Sequence, residues 1–201
     1  MLTLGHPTQP TRIRTTSENT MTQFAIDLGN NDKLVLRETW TVPALHALIE
    51  KNLDRLRQWE HWAQGPQTEE GLAAFTTHQM HQWVDGQALP AAIVSHGHVV
   101  GSIGARIDSY VGVADLGYWI DADAEGRGLV TRAARTLIDH LHQDRGIRRI
   151  EIRTATENVR SRAVAERLGF THEGTLTAAH IAGDRVHDTA LYGLVPSHRA
   201  D

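Results

Sequence analysis

Two short segments near the start of the chain, residues 24–28 and 33–37, alternate between apolar and polar positions. Strands with one buried face show this alternation. The tetrapeptide between the segments, Gly-Asn-Asn-Asp at 29–32, contains the residue types that favour a tight turn. The pattern therefore predicts a β-hairpin.

Apolar residues then recur at helical spacing and predict two helices, over residues 43–62 and 69–85. Pro43 suits the first turn of the first helix, where its missing N–H has no partner to lose. Thr68 is suited to cap the second helix, because two glutamates follow it in the first turn. Gly86 should end that helix.

The second half of the chain alternates strand and helix patterns. We predict strands over 89–95, 99–107 and 114–120, a helix over 127–145, a strand over 147–154, a helix over 158–168, and two strands within 170–195 joined by a turn at 182–184. The helix after strand 114–120 is a crossover, which makes that strand parallel to strand 147–154. This mixed order predicts an α/β (α+β) fold with a central, largely antiparallel sheet flanked by helices.

Composition narrows the class of protein. The chain has 201 residues and no cysteine, so one compact domain over residues 23–197 is expected, without disulfides or thiolate metal sites. The first 22 residues lack a hydrophobic block and are interpreted as a disordered leader. No apolar run approaches the roughly 20 residues of a membrane helix. A cytoplasmic location is the expectation.

Charge is unevenly distributed along the chain. Residues 127–167 contain ten arginines and five acidic residues, a local net charge of +5, and the remainder carries −9. A basic segment in an acidic chain suggests an anionic ligand, although a solvated helix face would give the same pattern. The overall charge of −4 and the lack of interleaved aromatic residues make nucleic acid an unlikely partner.

A glycine-containing turn lies where a strand meets a helix. Gly126 and Gly128 flank Arg127, and backbone N–H groups at such a helix start can bind phosphate. The dinucleotide-binding fingerprint is absent because Thr131 occupies its third glycine position. Taken alone, this short motif is equally compatible with an ordinary turn.

Six motifs in order carry a family resemblance. They are Leu56-x-x-Trp59-x-x-Trp62, Leu116-Gly117-Tyr118-Trp119-Ile120, Gly126-x-Gly128, Asn158-x-x-Ser161, Arg167-Leu168-Gly169-Phe170-x-x-Glu173-Gly174 and Gly183-Asp184-x-x-x-Asp188-x-x-x-Tyr192. Together, over roughly residues 33–195, they resemble the GNAT superfamily of N-acetyltransferases and its RimJ/RimL branch. The resemblance implies acetyl-CoA as co-substrate, no metal, and parallel strands that splay apart at the cofactor site.

The resemblance also implies a set of cofactor-binding residues. The strand at 118–120 would pair with the pantetheine arm, often at a bulge, and the turn at 125–131 would bind the pyrophosphate. The implied residues are Tyr118, Trp119, Ile120, Gly126, Arg127, Gly128, Leu129, Thr131, Arg132, Asn158, Ser161 and Arg167. Asp123 and Arg132 depart from the family pattern, which has Gln or Arg at the first position and Glu at the second.

Two residues match the family's proposed catalytic positions. Ser161 would protonate or hydrogen-bond the leaving thiolate, although Asn158-x-x-Ser161 is also an ordinary helix cap. His180 occupies the position of the general base, which Asp188 or a water molecule could replace. Trp59 and Trp62 would line the acceptor pocket with Asp188, or pack in the core.

The predicted function is transfer of an acetyl group from acetyl-CoA to a primary amine, with a protein N-terminus of the ribosomal-protein type as the leading acceptor. The alternatives are a small-molecule amine (an aminoacyl nucleotide, an antibiotic or a polyamine) and a catalytically silent acyl-CoA-binding protein.

His78 and His81 share a helix face but have no third ligand for a metal. The resemblance also implies that the protein can form a homodimer.

Overall fold

The structure is a computed structural model that describes residues 24–195; the expected leader at 1–22 lies outside the described residues. The described strands are β1 (Ala25–Gly29), β2 (Asp32–Leu36), β3 (Ala88–Ser95), β4 (His98–Asp108), β5 (Val113–Ile120), β6 (Arg149–Ala155), β7 (Thr171–Ala182) and β8 (Arg185–Leu194). The described α-helices are α1 (Val42–Lys51), α2 (Leu53–Arg57), α3 (Glu69–Val84), α4 (Leu129–Gln143) and α5 (Val159–Arg167).

One sheet contains all eight strands, in the order β1-β2-β3-β4-β5-β6-β8-β7. Every neighbouring pair is antiparallel except β5 and β6, which are parallel and joined through α4. The mixed, mostly antiparallel sheet and its crossover are therefore confirmed.

Local turn chemistry follows the sequence closely. Asn30 and Asn31 both have positive φ, 56° and 61°, as the two central residues of a type I′ hairpin turn require. The Thr68 hydroxyl accepts the Gly71 N–H at 3.1 Å and so caps α3. Gly86, at φ 73°, follows α3 in the left-handed conformation. The predicted hairpin, cap and helix end are confirmed.

The single helix predicted over 43–62 is wrong, because Asn52 divides it into α1 and α2. The buried Asn52 side chain donates through Nδ2 to the Leu48 carbonyl and to Asp121 Oδ1, each at 2.9 Å. Its Oδ1 accepts the Ala122 N–H at 3.0 Å. A 3₁₀ turn, His61–Gln64, then completes the segment. The break is thus caused by a tertiary contact, which the helical spacing of apolar residues cannot reveal.

The main core lies between α4 and one face of the sheet. Ala133, Leu137 and Leu141 of α4 are fully buried and belong to the same apolar cluster as Ile103 of β4 and Ile150 of β6. On the opposite face, a smaller cluster of Ile49, Leu56 and Ala63 packs with Trp119 of β5. The helices on this second face leave a cavity against the sheet.

Candidate active site

The parallel pairing of β5 and β6 is short. Only Val113–Asp115 of β5 pair with residues of β6, namely Arg149–Glu151. Beyond Asp115 the strands diverge, while β5 remains paired with β4 along its whole length to Ile120. The splay is confirmed, and the unbroken β4–β5 register shows no bulge in this pairing. Along 116–120, β5 thus has a second edge without a strand neighbour.

The glycine turn lies between β5 and α4. Gly126 and Gly128 have φ of 74° and 69°, a region where a side chain would be strained. Gly128 is the N-cap of α4, and no side chain caps the helix. The first N–H groups of α4, from Leu129 onward, are therefore open to an anion at the positive end of the helix dipole.

The segment leading into this turn is anchored by α1 and α2. Lys51 Nζ lies 2.7 Å from a carboxylate oxygen of Asp121 and of Asp123, and Arg55 pairs with Glu125. Burial raises the pKa of Asp121, but hydrogen bonds from Lys51 and Asn52 outweigh it, so the net pKa is lowered. Asp121 therefore stays ionised and holds the turn against the α1–α2 break.

Two of the predicted phosphate-binding arginines are engaged within the protein. Arg127 does not line the cavity; its Nη2 donates to the Asp123 carbonyl at 2.8 Å. Arg132 lines the cavity but pairs with buried Asp32, and its Nη1 donates to the Arg127 carbonyl at 2.9 Å. Both side chains brace the turn, and the charge of Arg132 is paired with that of Asp32.

Other arginines are better placed for phosphate. Arg167 is exposed and lines the cavity. Arg160, which the sequence interpretation missed, is 75% exposed on α5 and also lines the cavity, 3.5 Å from Glu125. Its position one residue before Ser161, in the first turn of α5, is the signal that could have identified it.

The cavity between the helices and the sheet has a volume of about 1610 Å³. It brings together nearly all the predicted site residues: Trp59, Trp62, Tyr118, Trp119, Ile120, Gly126, Gly128, Leu129, Thr131, Arg132, Asn158, Ser161, Arg167 and His180. Arg127 and Asp188 are the two predicted residues that it leaves out. One continuous cavity therefore joins the glycine turn to the expected acceptor side.

Tyr118 and Ser161 meet at the splay. The Tyr118 hydroxyl lies 3.0 Å from Ser161 Oγ, and either atom can donate. Burial raises the pKa of Tyr118 to about 12, so the phenol keeps its proton at neutral pH. Asn158 accepts the Ser161 N–H through Oδ1 at 3.1 Å, which is the helix-cap role. The pair is a source of protons beside the cofactor strand.

His180 lies on β7 at the other end of the site. Its Nε2 is 2.6 Å from the carbonyl oxygen of Trp59. Because a carbonyl can only accept, Nε2 carries the proton in this contact. The neutral ring then has its lone pair on Nδ1, the atom that can accept a proton from an amine.

Glu60 is a site residue that the sequence interpretation missed. It lines the cavity beside Trp59, and its Oε2 accepts the Trp62 indole N–H at 2.8 Å. Burial raises the pKa of the Glu60 carboxyl, with the Trp62 hydrogen bond and the charge of His180 opposing that rise. Its place inside the family's Trp59-x-x-Trp62 motif was the available signal.

Asp188 does not reach the cavity. Its Oδ1 accepts the N–H of Ala178 at 2.8 Å, and Ala178 has a positive φ of 51° within an irregular part of the β7–β8 pairing. Asp188 is therefore not positioned for the predicted acceptor binding. Its carboxylate instead stabilises the irregular part of β7.

Across residues 24–195, no group of three or more His, Asp or Glu side chains is arranged to hold a metal ion. In the same residues, no helix is long and apolar enough to cross a membrane.

Comparison with known proteins identifies the family. Residues 33–171 match the acetyltransferase (GNAT) domain. The chain belongs to the GNAT acetyltransferase family. It is 32% identical over 155 residues to the ribosomal-protein-serine acetyltransferase of Escherichia coli K12, covering 77% of this chain and 87% of that protein.

Solved structures agree with this assignment. A RimL ribosomal L7/L12 α-N-protein acetyltransferase in complex with coenzyme A superposes with a TM-score of 0.83 at 27% identity, covering 86% of this chain and 98% of that one. The microcin C7 self-immunity acetyltransferase MccE, in complex with acetyl-CoA and AMP, has a TM-score of 0.80 at 27% identity, with coverages of 84% and 94%. This protein is an acetyl-CoA-dependent N-acetyltransferase.

The geometry of the site suits acetyl-CoA. The open edge of β5 at 116–120 offers backbone groups to the amides of the pantetheine arm, as an edge strand does. The left-handed Gly126 and Gly128 give the pyrophosphate close access to the start of α4. Arg160 and Arg167 line the same cavity and supply positive charge.

Proposed function

We propose that this enzyme acetylates the N-terminal amine of a protein, with a ribosomal protein as the leading acceptor. The observation that carries the proposal is the extent of the cavity, which continues from the glycine turn past Trp59 and His180 to α3. On its floor, Gly104 and Gly117 face each other across β4 and β5 without side chains. An extended peptide fits such a floor better than a compact amine.

The mechanism that we propose uses residues of the two ends of the site. Acetyl-CoA supplies the acetyl group as a thioester. His180 accepts the proton of the attacking amine at Nδ1, while Trp59 fixes the ring through Nε2. The Glu60 carboxylate holds the incoming ammonium, which releases one proton to solvent and so becomes the neutral amine that attacks the thioester. The Tyr118–Ser161 pair delivers a proton to the departing thiolate.

A small-molecule amine is the second candidate acceptor. The neighbour MccE, whose structure is a complex with acetyl-CoA and AMP, supports an aminoacyl nucleotide as this alternative. A cytoplasmic location and a homodimer remain predictions, and sedimentation of the purified protein would test the latter.

The test is mass spectrometry of acceptors incubated with the enzyme and acetyl-CoA. The panel contains salt-washed ribosomes, N-terminal peptides of ribosomal proteins, aminoacyl nucleotides and polyamines. A single acetyl group on one protein N-terminus is the expected result. Acetylation of an aminoacyl nucleotide alone would replace the proposal with its alternative. No product with any acceptor, despite binding of acetyl-CoA, would indicate a silent acyl-CoA-binding protein.

A further inference from the structure

A second histidine packs against the proposed base. His187 on β8 is the cross-strand partner of His180 on β7. The centres of the two rings lie 6.0 Å apart, and their planes are tilted by 44°. His187 is only 8% exposed and does not line the cavity, whereas His180 does. His187 therefore does not meet the acceptor, and any effect that it has on catalysis passes through its neighbours.

The His187 ring also contacts the residue that holds the proposed base. The ring centres of His187 and Trp59 are 5.8 Å apart, with an interplanar angle of 49°. The Trp59 carbonyl accepts the Nε2–H of His180 at 2.6 Å. His187 thus packs against both partners of that hydrogen bond, the imidazole that donates and the tryptophan that accepts.

A contact with Glu157 restrains the His187 ring in turn. Its Nδ1 lies 3.3 Å from Oε2 of Glu157, just before the N-cap of α5. Its Nε2 is buried and has no hydrogen-bond partner among residues 24–195. The ring therefore acts at this place mainly as a flat packing surface, between the rings of Trp59 and His180 and the carboxylate of Glu157.

We infer that His187 is a positioning residue for the proposed base. Its ring keeps the His180 imidazole in the orientation that donates Nε2–H to Trp59, which leaves the lone pair of Nδ1 for the proton of the amine. The inference rests on the proposed function, in which His180 is the base. Without the His187 ring, the His180 side chain could move to other rotamers and lose this hydrogen bond.

Nitrogen-15 NMR of the histidine side chains tests the inference without turnover. Spectra are recorded on protein loaded with coenzyme A under mildly alkaline conditions, where imidazole is neutral. The spectrum of His180→Gln assigns the His180 signals. In wild-type protein His180 should carry its proton on Nε2. This preference for one tautomer should be lost in His187→Ala and restored in His187→Phe, which again supplies an aromatic ring.

Steady-state kinetics should follow the same order. His187→Ala should lower kcat roughly 10- to 100-fold, the effect of a misplaced reacting group, with coenzyme A affinity unchanged. His187→Phe should recover most of that loss. If His187→Ala does not fold, His187→Leu, which fills the space without a planar ring, replaces it with the same expected results.

His172 supplies a matched control on the same two strands. Its ring lies 5.2 Å from that of Tyr192, its cross-strand partner on β8, but His172 is exposed and outside the cavity. His172→Ala removes a ring contact of the same kind. It should keep both the wild-type kcat and the His180 tautomer.

The outcomes separate this inference from the proposed function. A His180 proton that stays on Nε2 in His187→Ala overturns the inference, even if kcat falls. Equal losses in His187→Phe and His187→Ala also overturn it, as does a wild-type His180 without a fixed Nε2 proton. A tautomer that changes in His187→Ala and returns in His187→Phe supports the positioning, even if kcat is unaffected. An unaffected kcat would then count against His180 as the base and leave the positioning intact.

Discussion

The hydroxyl groups of Tyr118 and Ser161, 3.0 Å apart, come from different elements and converge on the gap beside β5. Because they share one hydrogen bond, they should act as a single proton donor to the leaving thiolate. Tyr118→Phe and Ser161→Ala should each lower kcat by about 100-fold or more, within the range of general acid catalysis. The double variant should be little worse than the poorer single variant.

Steady-state and pre-steady-state kinetics would check this prediction, with acetyl-CoA affinity measured in parallel and expected to change little. Tyr110→Phe is the matched control, since Tyr110 is 96% exposed and outside the cavity. Multiplying effects in the double variant would show two independent roles. An unchanged rate in Ser161→Ala would remove the role given to Ser161.

Glu60 predicts a pH dependence of acceptor binding. Because burial raises the pKa of its carboxyl, Glu60 loses its negative charge at a higher pH than an exposed glutamate does. If the carboxylate holds the ammonium of the acceptor, KM for the amine should rise as the pH falls through that raised value. Glu60→Gln should have a high KM that no longer changes over this range. A wild-type profile retained in Glu60→Gln would contradict the role.

At the scale of secondary structure, the β4–β5 pair sets the position of the cofactor strand. A Cβ added at Gly101 would lie 2.5 Å from the Trp119 carbonyl oxygen and 2.9 Å from the Ile120 Cα. Gly101→Ala must therefore push β5 away from β4. We expect a loss of about 1–3 kcal/mol in the free energy of unfolding, the usual effect of overpacking, together with weaker acetyl-CoA binding.

Chemical denaturation and calorimetry would measure the two effects of Gly101→Ala. Gly65→Ala is the control, because a Cβ there meets no atom within 4 Å and the residue has a φ of −81°. A Gly101→Ala protein with wild-type stability would show that β4 and β5 can separate without strain.

The elements themselves were largely predictable from local sequence. Paired asparagines determined the first hairpin turn, and Thr68 and Gly86 marked the ends of α3. The break at Asn52 was not predictable, because its cause is a hydrogen bond to Asp121, 69 residues away along the chain. Helical periodicity reports which residues face the core and carries no information about such a partner.

The same limit applies to the site. Residues from three separate motifs converge, since Gly126, Ser161 and His180 all line the cavity. The motifs could not show that Arg132 is engaged by Asp32, 100 residues earlier. Whether a charged side chain is paired within the protein depends on its neighbours in the folded structure. An arginine-rich sequence alone therefore cannot show which arginines form internal ion pairs and which are available to a ligand.

For the whole molecule, bound coenzyme should act as a partner for the open edge of β5. Amides at 116–120 that do not bond β4 should exchange hydrogen more slowly when coenzyme A is present. Hydrogen-exchange mass spectrometry would detect the change, with the β1–β2 hairpin as an internal region expected to respond little. Equal protection of both regions would indicate general stabilisation by ligand and contradict specific pairing at β5.

The three residue pairs between β5 and β6 also determine how the sheet would respond to a mechanical load. Strands β1–β5 and β6–β8 are each joined by longer antiparallel ladders. The two groups are joined to each other by the three residue pairs at Val113–Asp115 and by the Gly112 carbonyl, which accepts the N–H groups of Arg148 and Arg149. A force that pulls the groups apart within the sheet would rupture this seam first, and the apolar layer under α4 would then bear the tension. The splay between β5 and β6 at the active site thus also lies on the line of lowest tensile strength in the sheet.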